Sequence, residues 1–335
     1  MNAIDLISRL RSHDIRLWAE NNQLRLSVPK DGITDDLLAE IRKNKDELLN
    51  LVKNTERFRR AVSLVPVERT DTFRLSFAQE RLWFLYHLFP EIPFYTVPLI
   101  MRLAGVIDIP ALQKSLQALI DRHESLRTCF PTIEGNPVQV IRDDCPVPLL
   151  EHNLVDLPED ARETAAGKVI EEEILRPFDL THGPVIRAAL LRMADQDHIL
   201  VITLHHIVTD GWSRGIIQRD LAALYNAQVL QQTPTLPALP IQYVDFAHWQ
   251  RQWLTGEVLE DQLRYWRTRL AEVPALDLPM DRPRPPVQTH SGASHAFQLS
   301  KSLTQDLQAL SRQSEVTLAT TLLVAFQALL GRYTV

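Results

Sequence analysis

The run from His198 to Leu204 is the feature that most constrains the fold of this chain. It is nearly continuous in apolar residues, which is typical of a strand buried on both faces of a sheet. A second apolar run, Val185 to Met193, predicts the strand before it, and amphipathic patterns over Pro110 to Glu124 and Trp212 to Asn226 predict helices. Strands that alternate with helices in this way predict an α/β fold.

The buried strand ends in a histidine pair within the string LHHIVTDGWS, residues 204–213. Histidine exchanges a proton near neutral pH, and glycine lets a substrate approach the backbone closely, so His205, His206 and Gly211 are candidates for chemistry. Two other interpretations stay open at this point. The histidines are core residues with satisfied hydrogen bonds, or they share a metal with Asp210, which is disfavoured because no third ligand has a recognisable spacing.

Glycine is scarce, with 10 in 335 residues, and none falls in a GxGxxG or GxxxxGK pattern, so we expect no direct binding of ATP or NAD. The 36 basic and 42 acidic residues give a net charge of −6 without a polybasic block, which disfavours nucleic acid as a partner.

The most apolar stretch, Val316 to Leu330, is shorter than the roughly 20 residues of a membrane helix and predicts a buried helix. Two isolated cysteines, Cys129 and Cys145, and the absence of a signal peptide predict a cytoplasmic protein.

The first 55 residues have a different pattern. Apolar spacing predicts a helix over 3–12, alternation predicts a hairpin from 15–19 and 23–28, and two further helices follow, beginning near 34 and 45. The alternation turns one face of the hairpin inward (Ile15, Leu17, Leu24, Leu26) and the other outward (Arg16, Trp18, Arg25, Ser27). Either the tryptophan packs under a loop between solvated arginines, or this face captures an acidic peptide.

This αββαα unit resembles the N-terminal docking domains of the tubulysin-synthetase type, which begin downstream subunits of peptide and polyketide assembly lines. The resemblance covers residues 1–55 and rests on the order of the elements. It implies that Arg16, Trp18 and Arg25 contact the acidic C-terminal tail of an upstream subunit. Because so small a core is marginal, docking or formation of a homodimer would also help its stability. Residues 56–72 are then a linker.

The HHxxxDG string at 205–211 matches the active-site motif of the condensation domains of nonribosomal peptide synthetases, which are similar in fold to chloramphenicol acetyltransferase. Three further strings follow the order of that family: SFAQERLWFL at 76–85, RHESLRTCF at 122–130 and YVDFAHW at 243–249, with His248 where the family usually has valine. The resemblance implies an α/β sandwich lobe over 73–250 and an incomplete second lobe over 251–335. Because later family motifs are absent, we expect this chain alone to be inactive or inefficient.

The implied reaction is amide formation between two thioesters that are carried on the phosphopantetheine arms of donor and acceptor carrier domains, with no cofactor or metal bound directly. The resemblance implies that His206 is catalytic and that a buried Asp210 pairs with Arg122 beside the structural His205. The Gly211 N–H is a candidate donor to the developing oxyanion. At pH 7 a neutral α-amine costs only about 1.4 kcal/mol, whereas orientation contributes up to about 7–11 kcal/mol, so positioning by His206 is favoured over strong base catalysis.

Two alternatives remain open from the sequence. The chain is a docking and interaction fragment without catalysis, or it is an acyltransferase of the same fold that uses coenzyme A. Within the condensation family, the strings AQERLW and DGWS resemble the subtype that joins two L-configured substrates.

Overall fold

The computed structural model describes residues 6, 10, 15–20, 23–27, 33–51, 63–89, 95–283, 285–286, 292 and 295–334. These residues belong to two units, Met1–Glu260 and Asp261–Val335. Each unit is described by itself below.

The N-terminal part of the first unit contains the predicted hairpin. Strands β1 (Arg16–Glu20) and β2 (Gln23–Ser27) pair antiparallel with Trp18 opposite Arg25, and helices α1 (Asp35–Lys43) and α2 (45–51) follow. Leu6 and Leu10 are helical and buried, while the rest of the helix predicted over 3–12 lies outside the described residues. These two leucines form a core with Ile15, Leu37, Ile41 and Leu48, against which the inward hairpin leucines 17, 24 and 26 pack. The predicted inward face of the hairpin is therefore confirmed.

The remainder of the first unit is an α/β assembly. Its strands are β3 (Phe73–Arg74), β4 (Thr96–Ala104), β5 (Thr128–Cys129), β6 (Thr132–Ile133), β7 (Asn136–Ile141), β8 (Leu149–Asn153), β9 (Ile186–Ala194) and β10 (Asp197–His205). Its helices are α3 (Phe77–Leu88), α4 (Ile109–Arg122), α5 (Glu159–Leu175), α6 (Gly211–Val229), α7 (Tyr243–Trp253) and α8 (Gly256–Arg269), with a 3-10 turn at Glu124–Arg127.

The main sheet has the strand order β4-β10-β9-β8, in which β10 is antiparallel to both neighbours and β8 is parallel to β9. Helices α4 and α6 pack on one face and α5 packs on the other, and both faces of β10 are buried from His198 to His205. The α/β class and the buried central strand are thus confirmed. On α6 the core face contains Ile217, Leu221 and Leu224, so Ile217 replaces the predicted Ile216.

A second core supports the end of β10. It consists of buried apolar residues from the chain before α3, α3 itself, the residue after β5, the segment before β9 and the loop after β10: Leu75, Leu82, Phe130, Phe178, Leu180, Val185 and Ile207. Gly183 in that turn has a φ of +71°, and an added Cβ would lie 2.9 Å from Cys129 Sγ. Only glycine fits there without strain, which fixes the path of the chain into β9.

The second unit contains the rest of α8 and two further helices, α9 (Lys301–Gln313) and α10 (Leu318–Tyr333). The helix predicted over Val316 to Leu330 is confirmed, but its predicted burial is wrong: most of its apolar side chains are exposed, including Leu322, Val324 and Phe326. Among the described helices of this unit, α10 packs on α9, and these side chains lie outside that contact. No single described helix is long and apolar enough to cross a membrane; α9 and α10 together meet that test but are bent by 102°.

Candidate active site

A short loop joins β10 to α6; His205 is the last residue of the strand and His206 is the first residue of the loop. The helix begins at Gly211 because Asp210 caps it: the Asp210 carboxylate accepts hydrogen bonds from the backbone N–H and the hydroxyl of Ser213, at 2.8 and 2.6 Å. Ser213 Oγ in turn accepts from the Asp210 N–H at 3.2 Å. This reciprocal cap satisfies N–H groups near the helix start. The loop is therefore fixed at both ends, by a core strand and by a capped helix.

His205 is buried at the end of β10 and is held as a neutral ring. The Ile207 N–H donates to its Nδ1 at 3.1 Å, and Tyr86, Tyr95 and Phe178 surround it with ring centroids 6.0 to 6.3 Å away. Burial, with a smaller contribution from His206, lowers the pKa of His205 to about 4. At pH 7 its single proton is therefore on Nε2, and its structural role stays a prediction.

His206 has the opposite environment, because its side chain is exposed. Its backbone N–H donates to the Tyr95 carbonyl oxygen at 2.7 Å, and its ring meets the Tyr95 ring edge-on at a centroid distance of 6.4 Å. Of the two histidines, only His206 presents a ring nitrogen to molecules from solution. A substrate can therefore reach His206 and not His205.

Gly211 is the first residue of α6 and is exposed beside this loop. A Cβ built on it meets no other atom within 4 Å, and its φ is not positive, so the protein itself imposes no need for glycine here. The N–H groups of the first helical turn have no acceptor within the helix and favour negative charge. This position fits the predicted role as a backbone donor to an oxyanion, which stays a prediction.

The predicted pairing of a buried Asp210 with Arg122 is wrong. Asp210 is exposed, and the hydrogen bonds from Ser213 are the main reason that its pKa is lowered. Arg122 instead donates from Nε to Asp220 at 3.0 Å and from Nη2 to the Pro237 carbonyl oxygen. The reason is the position of α4, which packs on the middle of α6 and brings Arg122 to Asp220. Asp210 precedes Asp220 by ten residues, which corresponds to about 15 Å along the helix axis.

Asp220 is the buried carboxylate that sequence reasoning missed. It has 0% exposure and accepts hydrogen bonds from Arg122, from His123 Nε2 at 3.0 Å and from Arg219 at 2.7 and 2.8 Å. Burial raises the pKa of Asp220, but these hydrogen bonds outweigh it, so the pKa is lowered and the group is ionised. A signal was present: Asp220 lies between Ile217 and Leu221 on the apolar face of α6, where an acid needs a partner.

Tyr243 brings the first and fourth sequence motifs to the same place. Its hydroxyl lies 3.0 Å from Ser76 Oγ, and Ser76 caps α3 in a reciprocal pair with Gln79. Burial is the main cause that raises the pKa of Tyr243, and the charge of Asp210 adds to it. The start of α7 is therefore bonded to the start of α3, and Leu75 and Leu82 at α3 pack in the same core as Ile207 of the loop that carries His206.

The outward face of the hairpin forms a separate surface. Trp18 is 39% exposed and lies directly opposite the exposed Arg25, while Arg16 pairs with Ser27 in the backbone register. The side chain of Arg16 lies outside the described residues. The structure therefore places two of the three predicted docking residues opposite each other, and the choice between a packed Trp18 and a peptide-binding face stays a prediction.

Histidine, cysteine and acidic side chains are the usual metal ligands, and a cysteine thiolate can also act as a nucleophile. In the part of the chain that the structure describes, no three His, Cys, Asp or Glu side chains come together as metal ligands. Both cysteines are buried and reduced, and burial raises the pKa of Cys129 and of Cys145. Neither thiol is therefore activated as a nucleophile.

The covered sheet and the loop at the end of its central strand define an α/β fold of the chloramphenicol acetyltransferase type. The chain resembles the X-domain in its complex with OxyB from teicoplanin biosynthesis, with a TM-score of 0.69 and 29% identity over 81% of this chain and 59% of that one. It shares the fold of the condensation domain for chain release from the enacyloxin polyketide synthase, with a TM-score of 0.67 over 100% of this chain and 65% of that one.

The chain belongs to the condensation domain family, whose model matches residues 69–335, and residues 4–54 match the TubC N-terminal docking domain. A linear gramicidin synthase polypeptide of Brevibacillus parabrevis is 49% identical over 274 residues, 82% of this chain and 4% of that protein. Phosphinothricin tripeptide synthetase PhsC of Streptomyces viridochromogenes is 46% identical over 77% of this chain and 24% of its own length. The chain thus spans a small part of these relatives, and both predicted family resemblances are confirmed.

Proposed function

We propose that this chain forms an amide bond between two carrier-bound thioesters within a nonribosomal peptide synthetase. The observation that carries the proposal is the contrast between the histidines: His205 is buried and neutral, whereas His206 is exposed beside the start of α6. An exposed imidazole next to the Gly211 N–H at the helix start can orient an attacking amine and stabilise the oxyanion that forms from the thioester carbonyl.

In this reaction the amine nitrogen of the acceptor attacks the thioester carbon of the donor. His206 holds the amine or accepts its proton, the Gly211 N–H donates to the developing oxyanion, and the C–S bond breaks to release the donor carrier thiol. His205 and the capped Asp210 keep the loop in shape. The thioester supplies the driving force, so no bound cofactor is needed.

The partners follow from the two matched families. We infer that residues 1–55 bind the acidic C-terminal tail of an upstream synthetase subunit. Residues 56–72 link this docking unit to a first lobe over 73–250, and residues 251–335 belong to a second lobe. Donor and acceptor carrier domains bring substrates on phosphopantetheine. We also propose that the protein is cytoplasmic and that both of its substrates are L-configured.

The test compares carrier-bound with free thioesters in the synthetase polypeptide that carries this sequence. A donor carrier domain and an acceptor carrier domain are loaded with aminoacyl groups, and dipeptide formation is followed by mass spectrometry. We expect transfer between the carriers and a much lower rate when coenzyme A thioesters replace them. Equal rates with free coenzyme A thioesters would favour the coenzyme A-dependent acyltransferase instead.

A second candidate function is that of an interaction module. It is favoured by the similarity to the X-domain, a protein of this fold that was solved in a complex with OxyB. If the chain is an interaction module without catalysis, it binds partners but the transfer assay gives no dipeptide with any carrier pair. A product that depends on His206 would exclude it.

A further inference from the structure

Arg69 lies before the first strand of the lobe, within the stretch predicted as a linker, yet it is bound to two acidic residues. Its Nε donates to both carboxylate oxygens of Glu124 at 3.1 Å, and its Nη1 and Nη2 donate to the two oxygens of Asp245 at 2.7 and 3.2 Å. The Val67 N–H also donates to Asp245, at 2.9 Å. Hydrogen bonds from Val67 and Arg69 therefore hold this segment against the 3-10 turn after α4 and the start of α7.

Asp245 controls where α7 begins. It is 1% exposed, and its Oδ2 accepts from the backbone N–H of Gln242, the N-cap residue, at 2.7 Å. The Gln242 side chain then joins the helix to α4: its Nε2 donates to the Arg122 carbonyl oxygen at 3.0 Å, and its Oε1 accepts from the Glu124 N–H at 3.2 Å. Arg69 is the cation that balances the buried charge of Asp245 in this arrangement.

The start of α7 carries Tyr243, whose hydroxyl bonds to Ser76, the N-cap residue of α3. The contacts therefore run from Arg69 to Asp245 and along the first turn of α7 to Tyr243 and Ser76. Leu75, which precedes Ser76, accepts a hydrogen bond from Arg251 of α7 at 2.7 Å and packs in the same core as Ile207 of the loop that carries His206. A shift of the helix start would move Tyr243 and, through Ser76, the start of α3, whose neighbour Leu75 packs in one core with Ile207 of the loop. Misplacements of about 1 Å can cost a hundredfold in rate.

We propose that Arg69 is a positioning residue for amide formation: by clamping Asp245 against Glu124 it holds the start of α7, and with it Tyr243, in register with the loop that carries His206. This inference rests on the proposed function. It assigns a role in the reaction to a residue that lies before the α/β lobe and outside the four sequence motifs.

The experiment measures single-turnover transfer between loaded carrier domains at increasing acceptor concentration. The double variant Arg69→Ala/Asp245→Asn removes the charge of the buried Asp245 together with that of Arg69, and Glu124, the other partner of Arg69, keeps a 16% exposed side chain. We expect its kcat to fall about tenfold or more, with the acceptor KM changed less than about twofold. Arg69→Lys keeps the charge but loses the forked geometry, so we expect it to unfold near the wild-type temperature and still show a lowered kcat.

Arg102→Ala is the matched control. Arg102 also pairs with two carboxylates, Asp197 and Glu163, but at the other end of β10 from His205, and we expect wild-type kcat. The inference is overturned if a folded double variant keeps wild-type kcat, if only KM changes, or if Arg102→Ala loses as much. Should the double variant fail to fold, a wild-type kcat in Arg69→Lys overturns it. An active His206→Ala would instead refute the proposed function.

Discussion

His205 and His206 are adjacent in sequence, but the end of β10 gives them different chemistry. Successive side chains of a strand point to opposite sides, so one ring enters the core while the next faces out at the point where the strand ends. His205 then has three aromatic neighbours and one N–H donor to its Nδ1, and its ring stays neutral. His206 keeps its ring nitrogens available to a substrate.

The first prediction concerns pH. The pKa of His205 is about 4 in the folded chain against 6.5 as the ordinary value, so between these pH values the unfolded state binds more protons. Stability is therefore fully present above about pH 6.5 and falls as the pH drops toward 4, by up to about 3 kcal/mol.

This loss is measured by urea unfolding of wild type and His205→Asn from pH 7 to pH 4.5. Asparagine keeps an acceptor for the Ile207 N–H but does not titrate, so we expect a flatter pH dependence in the variant. Parallel pH curves for the two proteins would mean that His205 is not a buried neutral ring.

At the scale of the element, α6 carries two aspartates with different tasks. Asp210 caps the helix from outside the core, and Asp220 is buried in its middle as the acceptor for Arg122, His123 and Arg219. The cap fixes where the helix begins beside His206. The buried ion network fixes how the helix lies against α4.

The second prediction separates these tasks. Asparagine caps helices about as well as aspartate, so Asp210→Asn should change the free energy of unfolding by less than about 0.5 kcal/mol. Asp220→Ala leaves Arg122 without its buried partner and should cost about 3–5 kcal/mol. Chemical denaturation measures both, and a loss of several kcal/mol in Asp210→Asn would instead support a buried pair for Asp210.

The hairpin is the second element with a task of its own. The third prediction is that Trp18→Ala and Arg25→Glu weaken binding of an acidic C-terminal tail peptide from the upstream subunit by at least about tenfold, which corresponds to about 1.4 kcal/mol. Calorimetry measures the affinity at low and high salt, because an ionic contribution is screened. Arg42→Glu on α1 is the matched charge reversal, and equal losses in Arg42→Glu and Arg25→Glu would contradict a docking face on the hairpin.

At the scale of the whole molecule, local sequence patterns predicted the features that depend on a single strand, hairpin or motif. The continuous apolar run gave β10, alternation gave the inward leucines of the hairpin, and the HHxxxDG string located His206. The partner of Arg122 could not be predicted, because it depends on how far along α6 the end of α4 packs. The clamp of Asp245 by Arg69 joins residues 176 positions apart and has no local signal. The exposure of α10 likewise depends on which elements cover it.

The central claim is that His206 carries amide formation while His205 supports the loop. Its most direct test is single-turnover transfer between loaded donor and acceptor carrier domains with wild type, His206→Ala and His182→Ala in the synthetase polypeptide that carries this sequence. His182 is an exposed histidine paired with Asp179 and serves as the matched control. We predict that His206→Ala lowers the rate at least about a hundredfold without changing the unfolding temperature, whereas His182→Ala stays within about twofold of wild type. Near wild-type transfer by folded His206→Ala would contradict the account.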